Sequence, residues 1–131
     1  KIMPDKERAK SIFEIVKVRE QSLKEIEKIN AYSTIIAENY YEIIKELCMA
    51  IALAEGYKAI GENAHKDAIN YVEKCGFDEY EIGTMQDLRV RRNKSSYEGK
   101  PIEEIYLTNT RADLLKLISK LKSILKEIIE K

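Results

Sequence analysis

Three arginines, a lysine and an asparagine crowd into Leu88-Arg89-Val90-Arg91-Arg92-Asn93-Lys94-Ser95-Ser96-Tyr97-Glu98-Gly99. No other stretch joins so much cationic and hydrogen-bonding chemistry to so little acid. A guanidinium is always charged, and its fork matches two phosphate oxygens. On a helix, residues three and four apart are neighbours, which aligns Arg89, Arg92 and Ser96 and sets Tyr97 four beyond Asn93. The chemistry this spacing suggests is the grip of a phosphate. The same cations also suit a helix C-terminus electrostatically, so charge alone does not choose between a ligand site and a stabilised helix end.

The remaining reactive residues offer less. There is one histidine, no Gly-x-Ser-x-Gly elbow and no phosphate-cradling glycine loop, so a serine or cysteine triad has little support. Glu62 and His65 have the Glu-x-x-His spacing of di-iron bundles, but such sites need two of these motifs and two further glutamates. No metal and no cofactor is expected, and His65 reads as a surface or helix-packing residue. Cys48 and Cys75 lack metal-ligand spacing and read as reduced thiols. Of the adjacent Tyr40 and Tyr41, one is expected in the core and the other at an edge or interface. Lys116, Lys120, Lys122 and Lys126 alternate with apolar residues and read as a solvated face.

These groups need a scaffold, and the totals bound it. The chain of 131 residues, 44% hydrophobic and 35% charged, suits one domain over 1–131 and excludes disorder. Its densest apolar run, Leu47 to Ala54, is far short of the roughly 20 residues of a membrane span. The first residues turn charged at once, unlike a signal peptide, so the reading is cytoplasmic. With 23 basic and 23 acidic side chains, any nucleic-acid site must be local. The wealth of Lys, Glu and Ile without Trp fits an archaeal or thermophilic source.

Apolar periodicity predicts helices near 5–29, 34–55, 62–74 and 78–98, and a last one from Thr108-Asn109-Thr110 to about Ile129. The first has an apolar face of Ile12, Ile15, Val16, Leu23, Ile26 and Ile29. Asn30-Ala31-Tyr32-Ser33 reads as a turn, with Ser33 or Thr34 capping the second helix. That helix has the widest apolar stripe and is expected to be the most buried. Asp78 caps the fourth, whose core face is Tyr80, Ile82, Met85 and Leu88. Ile102 to Leu107 reads as an irregular connection. The expected fold class is all-α, an antiparallel bundle of about five helices.

Two segments together resemble the HEPN superfamily, all-α domains of higher eukaryotes and prokaryotes. One runs from Asn39-Tyr40-Tyr41-Glu42-Ile43-Ile44 to Ala52-Leu53-Ala54-Glu55-Gly56-Tyr57 and is similar to the family's Tyr-Tyr helix. The other is the arginine stretch, similar to its Arg, polar residue, then His signature. The resemblance implies a four-helix up-and-down core. It implies a homodimer whose motifs share a cleft, metal-independent RNA cleavage, and often a toxin paired with a minimal nucleotidyltransferase antitoxin. It assigns Arg92 to the scissile phosphate, Asn93 to orientation and Tyr97 to the place of the catalytic His. A phenol, with an ordinary pKa of about 10, is a poor base at neutral pH. The resemblance therefore implies binding of nucleotide, RNA or a nucleotidyltransferase through Arg89, Arg92, Asn93, Ser96 and Tyr97, with weak or no cleavage. The alternatives are an active endoribonuclease toxin using Tyr97 or His65, and a non-catalytic interaction bundle.

Overall fold

The computed structural model describes residues 2–29 and 32–131. The expected turn at Asn30 and Ala31 lies outside them. Five α-helices form: α1 (Lys6–Lys28), α2 (Ser33–Ala54), α3 (Ala64–Tyr71), α4 (Glu79–Glu98) and α5 (Glu104–Glu130). A 3-10 turn, Val72–Cys75, continues α3, and the described residues hold no strand. None of the helices is long and apolar enough to cross a membrane.

Cross-helix pairs give the directions. Asp5 bonds near Leu53, Arg19 pairs with Glu46, and Glu27 meets Tyr40, so α1 and α2 are antiparallel. Ser95 reaches Glu38 while Arg92 lies over Tyr41, so α4 also opposes α2. Arg111 meets Glu27 and Lys122 meets Glu20, so α5 opposes α1. Lys120 reaches Glu81 and Arg91 lies over Tyr106, so α5 opposes α4 too. The four long helices are thus an up-and-down bundle, with α3 inserted between α2 and α4.

The centre is α2. Of its 22 residues 13 are buried, and it packs on all four other helices. Its buried Leu47, Ile43, Ile44 and Ile51 each contribute roughly 1.5–3 kcal/mol by leaving water. This position corrects the reading of the tyrosine pair, because both Tyr40 and Tyr41 are fully buried. Successive residues point about 100° apart, and a helix with neighbours on several sides can bury both. Tyr40 donates to Glu27 on α1 (3.0 Å). Tyr41 points to the other side, at His65 on α3 (3.2 Å).

Several expected details differ. Ile15 of α1 and Ile29 at its C-cap are exposed, and Ala9, Val16 and Leu23 form the helix's buried seam. Tyr80 is exposed, its hydroxyl donating to Asp113, so the core face of α4 is Met85 and Leu88 with Ile82 half-buried. The last helix begins at Glu104, not near Thr108, so residues 104–107 are helical. Buried Tyr106 and Leu107 already follow the spacing of Leu114, and Thr108 donates to the Glu104 carbonyl inside the helix. Ser33 and Thr34 do not cap α2. Both hydroxyls donate to the Ile102 carbonyl, and the Ile102 N–H donates to Thr34 Oγ1. That hook fixes the chain entering α5.

Candidate functional site

The start of α4 is set locally. Asp78 and Glu81 form a reciprocal capping box, the Asp78 carboxylate accepting from the Glu81 N–H (2.8 Å) and Glu81 from the Asp78 N–H (2.9 Å). This helix start projects Met85 and Leu88 into the core and turns the arginine stretch outward. At the far end, Ser95 donates to Glu38 on α2 (2.8 Å). Gly99 then takes a left-handed conformation (φ 68°) and stops the helix.

The helix separates the three arginines. Arg91 pairs with Asp87 (2.8 Å) and lies over the Tyr106 ring (4.4 Å). Arg89 and Arg92 face the other way, into a cavity of about 540 Å³ between α4 and the start of α3. Arg89 donates to Gln86 Oε1 (2.6 Å). The Gln86 amide donates in turn to the Lys66 carbonyl (3.0 Å) and to Asn70 Oδ1 (2.9 Å), which ties α4 to α3 and aims the guanidinium. The Arg92 guanidinium sits 5.6 Å from the centre of the Tyr41 ring, within cation–π range. Among the described residues neither Arg89 nor Arg92 has a carboxylate within salt-bridge distance.

Four of the five expected ligand residues line this cavity: Arg89, Arg92, Asn93 and Tyr97. Asn93 is half-buried, while Tyr97 is 80% exposed. Ser96 is exposed and stands outside the lining. His65 joins the site, brought there by α3 from 24 residues beyond its hydrogen-bond partner Tyr41. Neither its spacing to Glu62 nor any local pattern signals this position. Gln86 and Ser95, which steady the helix, were equally silent in sequence.

The electrostatics define what the cavity can bind. Burial, then Lys45 and Arg92, push the His65 imidazole below its ordinary value, with Arg89 adding to this and Glu42 opposing it. Burial pushes the Tyr41 phenol up to about 12. At neutral pH the phenol therefore keeps its proton and the imidazole is uncharged. The Tyr41 hydroxyl and His65 Nδ1 share a hydrogen bond whose direction follows the imidazole tautomer. With Nδ1 so engaged, Nε2 is the ring nitrogen left for a ligand, a donor in one tautomer and an acceptor in the other. In the first turn of α3 the N–H groups of His65 and Lys66 have no backbone acceptor among the described residues, and Asn63 supplies no side-chain cap. Against these donors stands one lining carboxylate, Glu62. The arrangement suits an oxyanion.

No group of three or more His, Cys, Asp or Glu side chains among the described residues is placed to hold a metal ion. Cys48 is buried and Cys75 half-buried, both as free thiols, and burial pushes both up, away from the reactive thiolate. Compared with family models, curated proteins and solved structures, the chain matches none.

Proposed function

We propose that the protein is a HEPN-like helical bundle that binds the phosphate of a nucleotide or RNA in the α3–α4 cavity, with weak or no ribonuclease activity. The observation that carries this reading is the donor-rich cavity with two arginines lacking acidic partners. Arg92 and Arg89 hold the phosphate oxygens, Asn93 and His65 Nε2 add hydrogen bonds, and Tyr97 offers its ring to a base. Tyr97 stands where the resemblance places the proton-transferring His, and a phenol is a poor general base, which favours binding over cleavage. The same reading implies a homodimer and a minimal nucleotidyltransferase as toxin–antitoxin partner. Light scattering of the purified chain tests the dimer.

Isothermal titration with a nucleoside monophosphate and a short RNA tests the site. Wild type is expected to bind both, and Arg92→Ala to lose about 2 kcal/mol, the scale of a hydrogen bond to a charged group. Absence of binding by wild type at low salt refutes the reading. A second reading, an active metal-independent endoribonuclease, is favoured by the presence of His65 beside Arg92. Its signature is RNA cleavage in chelator that is lost in both His65→Ala and Arg92→Ala.

A further inference from the structure

The phosphate-binding reading extends from one phosphate to a strand. A second depression, about 250 Å³, opens on the other flank of α4. Arg91, Lys94 and Lys100 line it against one carboxylate, Asp87. The first cavity has the same balance, with Lys66, Arg89 and Arg92 against Glu62. The chain as a whole is neutral, so this excess is local to the end of α4. Arg89 and Arg91 are two residues apart, or about 200° around the helix. The two depressions therefore flank one exposed ridge.

The crest of that ridge is apolar and aromatic. Val90 is 38% exposed and Tyr97 80% exposed. Beyond Gly99 the chain turns back, the Lys100 N–H reaching the Lys94 carbonyl (3.3 Å), which brings Lys100 beside Lys94. Arg91 is held by Asp87 and Tyr106, so it shapes the second flank while Lys94 and Lys100 remain to contact a ligand. Lys94 has no ion pair among the described residues. The Lys100–Glu98 contact is long (3.5 Å) and exposed, and such pairs hold little.

We propose that a single-stranded oligonucleotide crosses this ridge. Its backbone is held by Arg89 and Arg92 on one flank and by Lys94 and Lys100 on the other, with a base stacked on Tyr97. Cationic tracks interrupted by aromatic platforms are how single strands are held without a sequence code. A duplex, stiff over about 150 base pairs, does not bend around a helix about 10 Å across, and its bases are not free to stack on a side chain.

Fluorescence anisotropy with labelled single strands of about ten nucleotides, within the span of such sites, tests the path. RNA and DNA strands, a duplex of equal length and a nucleoside monophosphate competitor are compared. The strand is expected to bind at least about tenfold tighter than the mononucleotide, as two added backbone contacts and a stacked base allow. The double variant Lys94→Ala/Lys100→Ala should weaken the strand about tenfold and flatten its salt dependence by about 1.4 in log–log slope, while mononucleotide affinity holds. Tyr97→Ala should also cost the strand about tenfold. Either sugar supports the path. A strand no tighter than the mononucleotide, a duplex bound as well as the strand, or a double variant without effect overturns the path and leaves the phosphate cavity standing. Strand binding indifferent to Arg92→Ala, or no binding of either ligand, overturns both.

Discussion

The α3–α4 cavity and the groove between α1 and α5 are both cationic depressions, yet they are built differently. The groove is the larger, about 690 Å³, and Lys17, Lys122 and Lys126 line it with Phe13, Leu115 and Glu20. Two of its three lysines are compensated where they stand: Lys17 meets Glu14 (3.0 Å) and Lys122 meets Glu20 (2.8 Å). In the cavity Arg89 leans on an amide and Arg92 on an aromatic face. Neutral partners fix a guanidinium in place without cancelling its charge. Size therefore says little about a site. What separates the two regions is that the cavity's guanidiniums converge on neutral supports, whereas the groove's ammonium groups are mostly paired with carboxylates and do not converge.

The sharpest way to break this contrast is to remove one cation from each region. Arg92→Ala is expected to cost about 2 kcal/mol in nucleotide binding, while Lys122→Ala leaves the affinity unchanged. Equal losses in the two variants, measured by titration calorimetry, would erase the distinction. The second effect is on stability. Tyr41→Phe keeps the ring under Arg92 but deprives half-buried His65 of its hydrogen bond. A loss of about 1 kcal/mol is expected, as for one unmade hydrogen bond in the interior, read from urea denaturation. No loss would mean that the Tyr41–His65 contact does not hold the imidazole.

How much of this was legible in the sequence depends on the range of each interaction. The Asp78 cap and the arginine face of α4 are local, determined by residues within four positions, and both were readable. The all-α bundle followed from apolar periodicity for the same reason. The burial of both tyrosines was not readable, because a helix surrounded on several sides has no single inner face. Nor was the start of α5. It depends on Ile102 being hooked by Ser33 and Thr34, 69 and 68 residues away. His65 entered the site in the same way, through packing of α3 that no local pattern encodes. The arginine stretch offered four of the cavity's residues, and the fold supplied the histidine.

A smaller effect concerns pH. The groups facing His65 are Tyr41, Lys45, Arg89 and Arg92, with Glu42 opposing the cations, and its pKa lies below the ordinary 6.5. In the unfolded chain the imidazole takes its proton near 6.5, while the folded, ligand-free protein resists until lower pH. The folded state thus loses stability as pH falls below 6.5 and is unaffected above it. A bound phosphodiester brings a negative charge that favours imidazolium, so the complex holds the proton at a higher pH than the free protein. Affinity should therefore rise a few-fold as pH falls from about 7 towards 5, since a diester has no ionisation of its own there. His65→Gln should flatten the profile. A wild-type profile that is already flat would place the phosphate away from the imidazole.

The smallest effect lies in the groove. Glu20 and Lys122 are each about two-thirds covered and 2.8 Å apart, yet water still reaches both. A half-buried pair that water still reaches contributes between nothing and about 1 kcal/mol, because desolvation and side-chain ordering offset most of the attraction. Glu20→Gln is expected to lower stability by less than about 0.5 kcal/mol by urea denaturation. It also frees the Lys122 charge, which makes it the more searching test of the comparison. If an uncompensated cation in a depression were enough to bind phosphate, Glu20→Gln would create nucleotide binding that survives Arg92→Ala. The expected result is none, because a flexible ammonium without a fork or converging donors does not build a site. Binding gained there would show that compensation alone, not the converging geometry around Arg92, sets the two regions apart.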